Sequence, residues 1–231
     1  MHVHVAFTPD ELAAGPTGVV IDVIRATSTI CQALATGYEL VLCAAEVEDA
    51  RSLAALGGVT LGGERLGVRI DGFDLGNSPR EYLTVRTPTL AMSTTNGTRA
   101  IVTAAERCER VLIASLLNLG AVIDAVHAHG DDVAIFCAGV KGSFALDDSY
   151  VAGRIVEELG DDRSDAAEAA ARLAASYPTA LEAFRASRSG RNLINHGAEL
   201  EADIPYCARE SVLDVVPRLT GMQGVAAEIR A

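Results

Sequence analysis

Gly18-Val-Val-Ile-Asp-Val-Ile-Arg-Ala-Thr-Ser-Thr-Ile-Cys-Gln-Ala-Leu-Ala-Thr36 changes character once along its length. Residues 18–24 are a nearly continuous apolar, β-branched run, as a strand covered on both faces requires, whereas 27–36 has helical spacing. Working outward, the same alternation holds to about residue 160. Strands are expected at 2–7, 18–24, 38–44, 59–62, 89–93, 110–115 and 132–137, and helices at 27–36, 46–56, 98–107, 118–128 and 148–159. Parallel strands joined by helical crossovers give an α/β fold, with a parallel or mixed sheet and helices on both faces. Farther on, 164–187 is helical in composition but split by Pro178, and 188–210 reads as an irregular loop before a short terminal element. No repeat or linker cuts the chain, so residues 1–231 are expected to form one domain, with 160–210 a helical and loop segment covering its site.

Composition narrows the function classes. Of 231 residues 49% are hydrophobic and 22% charged, ordinary globular proportions that exclude disorder as the main description. Nineteen basic against 31 acidic residues leave a formal net charge of −12, which repels phosphate backbones and anionic lipid. Neither nucleic acid nor a membrane is therefore an expected partner. No apolar run reaches the roughly 20 residues of a spanning helix, and Met1-His2-Val3-His4 lacks the basic start of a signal peptide, so a cytoplasmic location is expected. Cys31, Cys43, Cys108, Cys137 and Cys207 are odd in number and never C-x-x-C, which argues against a disulfide framework or zinc ribbon. The oligomeric state is open, and a homo-oligomer is compatible with this composition.

Ligands of open α/β sheets bind outside the carboxyl ends of the strands. Here those ends are rich in polar groups: Asp22, Arg25, Thr27, Ser28 and Thr29 after 18–24; Glu64 and Arg65 after 59–62; Thr94, Thr95, Asn96, Gly97, Thr98 and Arg99 after 89–93; Gly139 and Lys141 after 132–137, with Asp147 and Asp148 shortly beyond. The hydroxyl-rich loops at 27–29 and 94–98 sit where helices begin, so free N–H groups and hydroxyls there suit an oxyanion such as phosphate. Ordinary N-capping would use the same residues. Asp22 within an apolar run and Glu64 after two glycines both want a cation, and an oxygen-only donor set favours Mg²⁺ over zinc. A pair between Asp22 and Arg25, and a simple cap from Asp147, are the competing readings. Lys141 is the sole lysine among 19 basic residues, a compact charge between glycines suited to phosphate or sulfonate. His196, in Arg191-Asn192-Leu193-Ile194-Asn195-His196-Gly197, is either a proton donor or a structural loop histidine.

Several mechanisms drop out. G-x-x-x-x-G-K-[ST], a strand-to-helix G-x-G-x-x-G and G-x-S-x-G are absent. No cysteine opens a C-x₅-R loop, and Asp22-Val23-Ile24 lacks the second aspartate of D-x-D phosphatases.

Asp-Val-Ile-Arg-Ala-Thr-Ser-Thr-Ile (22–30), Gly-Glu-Arg (63–65), Gly-Phe-Asp-Leu-Gly-Asn-Ser-Pro (72–79), Thr-Thr-Asn-Gly-Thr-Arg-Ala (94–100), Ala-Gly-Val-Lys-Gly-Ser-Phe-Ala-Leu-Asp-Asp (138–148) and Asp-Ile-Pro-Tyr-Cys (203–207) resemble, in order, the landmarks of the 2-phosphosulfolactate phosphatases. The resemblance spans about residues 18–207. It implies that family's own α/β fold, Mg²⁺ dependence and hydrolysis of 2-phospho-3-sulfolactate to 3-sulfolactate and phosphate on the route to coenzyme M. On this reading Mg²⁺ is held by Asp22 and Glu64 with help from Asp147 or Asp148. Arg25, Thr27, Ser28 and the 95–98 loop fix the phosphate, and Arg25, Arg65, Arg99 and Lys141 make a local positive site in a negative molecule. The rival readings are a non-catalytic protein that holds a small phosphorylated acid in the same crevice, and a metal-dependent hydrolase of another bond.

Overall fold

The computed structural model describes residues 1–55 and 57–231. All seven expected strands form, as β1 (Val3–Ala6), β2 (Gly15–Ile21), β3 (Leu40–Cys43), β4 (Val59–Arg65), β6 (Thr89–Ser93), β7 (Cys108–Ala114) and β8 (Val133–Cys137). The short β5 (Val68–Arg69) and a hairpin of β9 (Arg218–Gln223) and β10 (Ala226–Arg230) add to them. The expected helices are α1 (Ala26–Thr36), α2 (Val47–Ala54), α3 (Gly97–Arg107), α4 (Leu119–His129) and α5 (Leu146–Leu159). The expected end of the second helix, at residue 56, lies outside the described residues. Pro178 separates α6 (Asp165–Ala175) from α7 (Ala180–Ala186). No helix among the described residues is long and apolar enough to cross a membrane.

One expectation is overturned. Residues 188–210 are not an irregular loop but α8 (Arg188–His196), α9 (Ala198–Glu201) and α10 (Asp203–Cys207). Ser187 starts α8 by accepting a hydrogen bond from the Gly190 N–H at 2.9 Å, a side-chain cap that satisfies one free donor of the first turn. Pro205 falls within the first turn of α10, where its missing N–H costs little. The segment reads as loop because it offers too few buried apolar residues to mark a core-facing stripe.

The strands make one mixed sheet in the order β1-β8-β2-β7-β9-β10-β3-β6-β4-β5. β1, β8, β2 and β7 are mutually parallel, as are β3, β6 and β4. The β9–β10 hairpin joins these halves through three antiparallel pairings, so the halves are formally opposed in direction. A sheet twists by roughly 20–25° per strand, so five intervals from β2 to β6 accumulate about 100–125° of rotation. Opposed strands are thereby turned toward one another, and the carboxyl ends of β2 and β8 meet those of β4 and β6.

Alternation along β2 divides the core. Val19 and Ile21 pack with Val122 of α4, Ile155 of α5, Ala170 of α6 and Phe184 of α7. Val20 faces the opposite way, toward Ile30 of α1 and Ile101 of α3, which also meet Leu90 and Met92 of β6 and Ile229 of β10. Helices thus cover both faces, and α1 and α3 lie between the two halves of the sheet.

Candidate active site

Asp22 is the first residue past β2, and the start of α1 folds back onto it. The Thr27 N–H donates to the Asp22 carbonyl at 2.9 Å, the Asp22 N–H donates to Thr27 Oγ1 at 3.1 Å, and Ser28 Oγ donates to the Val23 carbonyl at 2.8 Å. These buried hydroxyls therefore hold the loop in shape and do not line the crevice. The Asp22 side chain does line it. Its Oδ1 accepts a long bond of 3.4 Å from the Ala26 N–H, while its Oδ2 has no hydrogen-bond partner among the described residues. Burial, and then the charge of Glu64, push its carboxyl up to about 7. Gly97 permits the crossing of α1 and α3 here: a Cβ would stand 2.6 Å from Ala26 Cβ and 2.9 Å from Asp22 Oδ2.

Glu64, at the end of β4, lines the same crevice. Its Oε1 accepts from both the N–H and the Oγ1 of Thr95 at 2.9 Å, and its Oε2 accepts from the Gly67 N–H at 2.7 Å. Thr95 thus orients Glu64. Asn96 Oδ1 accepts from the Lys141 N–H at 3.2 Å, joining the loops after β6 and β8, and Lys141 has a left-handed backbone with φ 52°. Gly139 is left-handed too, and a Cβ there would stand 2.6 Å from the Ser143 carbonyl oxygen. Thr98 is buried in the first turn of α3.

Asp148 has both oxygens occupied: Oδ1 accepts from the Val23 N–H at 2.9 Å and Oδ2 from the Gly139 N–H at 3.1 Å. It pins the end of β2 to the end of β8, and burial with the charges of Asp147 and Asp22 holds it well above the usual carboxylate range. Asp147 is buried, its Oδ1 without a partner among the described residues, and burial raises its carboxyl to about 6 against the opposing Ser189 and Ser187 hydroxyls. Neither residue lines the crevice. Among the described residues no three His, Cys, Asp or Glu side chains gather closely enough to cage a cation.

The arginines divide sharply. Arg25 follows a cis Ile24–Arg25 peptide and lines the crevice, with its guanidinium anchored from behind. Nη1 donates to Asp203 Oδ2 at 2.8 Å and Nη2 to the Gly67 carbonyl at 2.8 Å. Asp203, fully buried in α10, also accepts from Ser78 Oγ at 2.6 Å and lies 3.5 Å from Arg80. Arg65 and Arg99 are not brought to the crevice. Arg65 ties the Glu64 and Ala45 carbonyls to Ser93 Oγ, and Arg99 pairs with Asp10 at 2.5 Å on the surface.

The resulting cavity holds about 350 Å³. One wall was illegible as a site in the sequence: α8, which contributes Arg188, Ser189, Arg191, Asn192, Leu193 and Asn195. The available signal was the i, i+3, i+4, i+7 spacing of 188, 191, 192 and 195, one face of a helix. His196 is not among the lining residues and lies beside Gly67. Lining cations (Arg25, Lys141, Arg188, Arg191) outnumber lining carboxylates (Asp22, Glu64) in a chain of net charge −12, so the cavity suits an anion bound together with a cation. Gly190 sets the position of α8, because a Cβ there would stand 1.9 Å from the Phe184 carbonyl oxygen. Gly190→Ala is expected to displace α8 and lower the melting temperature by several degrees; an unchanged melting temperature would show that α7 and α8 are not so closely packed.

Comparison with known proteins identifies the family of the chain. The profile described as 2-phosphosulpholactate phosphatase matches residues 4–222. A protein of Thermus thermophilus named probable 2-phosphosulfolactate phosphatase is 40% identical over 98% of this chain and 98% of its own length. Proteins with the same name from Symbiobacterium thermophilum and Carboxydothermus hydrogenoformans are 41% and 39% identical, covering 95% and 94% of this chain and 98% and 92% of their own lengths. The matched span takes in every loop that meets at the crevice, from Asp22 through Lys141 to Asp203, and the chain accordingly belongs to the 2-phosphosulpholactate phosphatase family.

Proposed function

We propose that this chain hydrolyses 2-phospho-3-sulfolactate to 3-sulfolactate and inorganic phosphate in a Mg²⁺-dependent reaction, in the cytoplasm and on the route to coenzyme M. The observation that carries the reading is the pair of carboxylates, Asp22 and Glu64, facing one crevice close enough for Glu64 to raise the Asp22 carboxyl. Two hard oxygen donors without a third fit Mg²⁺, which commonly takes one or two carboxylates and fills its remaining positions with water and substrate phosphate. Asp22 Oδ2, which lacks a donor among the described residues, suits that role, and Asp22 with Glu64 would hold the ion. When bound, Mg²⁺ neutralises phosphate charge and favours its transfer.

The protein's own groups do the rest. Thr27 and Ser28 fix the loop that carries Asp22, and Thr95 fixes Glu64. Arg25, anchored by Asp203 and the Gly67 carbonyl, presents a prepaid orientation to the phosphate, so little reorganisation accompanies the transition state. Lys141 adds a compact charge from the opposite loop. Water adds to phosphorus, the bond from phosphorus to the C2 oxygen breaks, and that oxygen leaves with a proton as the hydroxyl of 3-sulfolactate. Trapping a labelled phosphoenzyme would instead assign the attack to an aspartate.

Phosphate release from a panel of 2-phospho acids, measured with Mg²⁺ and with chelator, tests the proposal. Release from 2-phospho-3-sulfolactate that chelator abolishes is expected. Tight binding with no release would favour a non-catalytic holding protein, and release indifferent to chelator would remove the metal.

A further inference from the structure

We propose that the crevice face of α8, through Arg188 and Arg191, is the element that reads the second strong anion of the substrate, its sulfonate, and so sets selectivity among 2-phospho acids. The inference rests on the function proposed above and deepens it.

The argument begins with what α8 lacks. Arg-Ser-Gly-Arg-Asn-Leu-Ile-Asn-His contains no acidic residue, in a chain with 31 of them. An exposed helix face normally intersperses opposite charges at i, i+4. Here Arg188, Arg191, Asn192 and Asn195 share one face with no carboxylate among them, and that face lines the cavity. The buried residues of the helix are Gly190, against α7, and Leu193, which adds an apolar contact to the cavity wall. Neither arginine has an acidic partner among the described residues; the polar contact that Arg191 makes is with the Ala186 carbonyl.

Their placement also works against the helix. Arg188 is the first helical residue and Arg191 lies in the same turn, at the positive end of the helix dipole, where cations are unfavourable and anions favourable. Two guanidinium groups set there gain nothing from the dipole of α8. An anion docked on them would offset both their mutual repulsion and the unfavourable dipole contact. Asp147, near the helix start, is buried against Ser187 and Ser189 and is not among the residues that line the crevice.

The other cations are less suited to the task. Arg25 is committed to Asp203 and the Gly67 carbonyl at the carboxylate end of the cavity. Lys141 offers a single point charge. A sulfonate presents three equivalent oxygens, which a fan of guanidinium and amide N–H donors matches better than an ammonium.

The test compares 2-phospho-3-sulfolactate with 2-phospholactate, which lacks the sulfonate, for the wild type, Arg188→Ala, Arg191→Ala, the double variant and Lys141→Ala. Each α8 variant is expected to lower kcat/KM for the sulfonated substrate about tenfold more than for its unsulfonated counterpart, chiefly through KM, as loss of a hydrogen bond to a charged group implies. Equal losses on both substrates, or a loss of discrimination confined to Lys141→Ala, would overturn the proposal. Should the wild type release phosphate from neither substrate, the proposed function fails, and calorimetry with 3-sulfolactate and lactate then judges α8 alone. Selective binding of 3-sulfolactate by the wild type that disappears in the double variant would support the assignment. Absence of that selectivity, or its survival in the double variant, would end it.

Discussion

Asp22→Asn is expected to lower turnover by about 10²–10³-fold or more, the range observed when one charge-stabilising group is removed from a preorganised site. The same substitution is expected to stabilise the metal-free protein at neutral and alkaline pH. The Asp22 carboxyl stands at about 7 in the folded chain against an ordinary value of 3.8, so the folded state holds this proton more tightly than the unfolded state does. Between those values the unfolded chain carries fewer protons, and stability falls as pH rises. In chelator at pH 8, Asp22→Asn should therefore melt several degrees above the wild type, with the gap closing as pH is lowered toward 4. Addition of Mg²⁺ should reverse the order by raising the melting temperature of the wild type alone. Undiminished turnover would remove Asp22 from the chemistry. A variant that melts below the wild type throughout would show that its charge is compensated in the metal-free state.

Asp203→Asn is expected to produce the largest loss of stability. The Arg25–Asp203 pair spans 2.8 Å, with the two side chains 3% and 0% exposed. Removing the carboxylate charge leaves a buried guanidinium without its counterion, at a cost of about 3–5 kcal/mol. For a chain of this length that corresponds to a fall of roughly 6–20 °C in melting temperature. Activity should fall as well, because Arg25 loses the anchor that points it at the phosphate. Arg80→Ala serves as the contrast. Its side chain is 40% exposed and stands 3.5 Å from the same carboxylate, so a change within about 1 kcal/mol is expected. Thermal denaturation of the two variants side by side decides the matter. A melting temperature for Asp203→Asn within two or three degrees of the wild type, a ~2–3 °C shift, would show that the buried pair contributes little.

Much of this fold is legible in the sequence, because local period reports local structure. The β-branched runs and alanine-rich stretches to residue 160 correspond to strands and helices within a few residues. The opposed halves are not legible. They depend on β9 and β10, and β9 is largely exposed, with no clear inward face to announce a strand. The end-of-strand rule brought Asp22, Glu64, Asn96 and Lys141 to one cavity. It could not separate side chains that face that cavity from those that turn back: Glu64 and Arg65 are neighbours at the end of β4, yet Glu64 lines the cavity while Arg65 turns to the Ala45 carbonyl and Ser93 Oγ. Arg188 and Arg191 were hidden for the converse reason. A helix whose polar face meets a ligand cavity and whose buried residues are one glycine and one leucine lacks the apolar stripe by which helices are recognised.

The position of the β9–β10 hairpin bears on how the chain reaches this state. Residues 218–230 occupy the middle of the sheet, between β7 and β3. A nascent polypeptide that has emerged only as far as residue 217 presents β3 and β7 as two unpaired edges, each open to association with a neighbouring chain. Union of the halves, and with it assembly of the pocket they share, thus follows synthesis of nearly every other element, which makes this hairpin the keystone of biogenesis and the interval before its arrival the period of greatest exposure to misassembly.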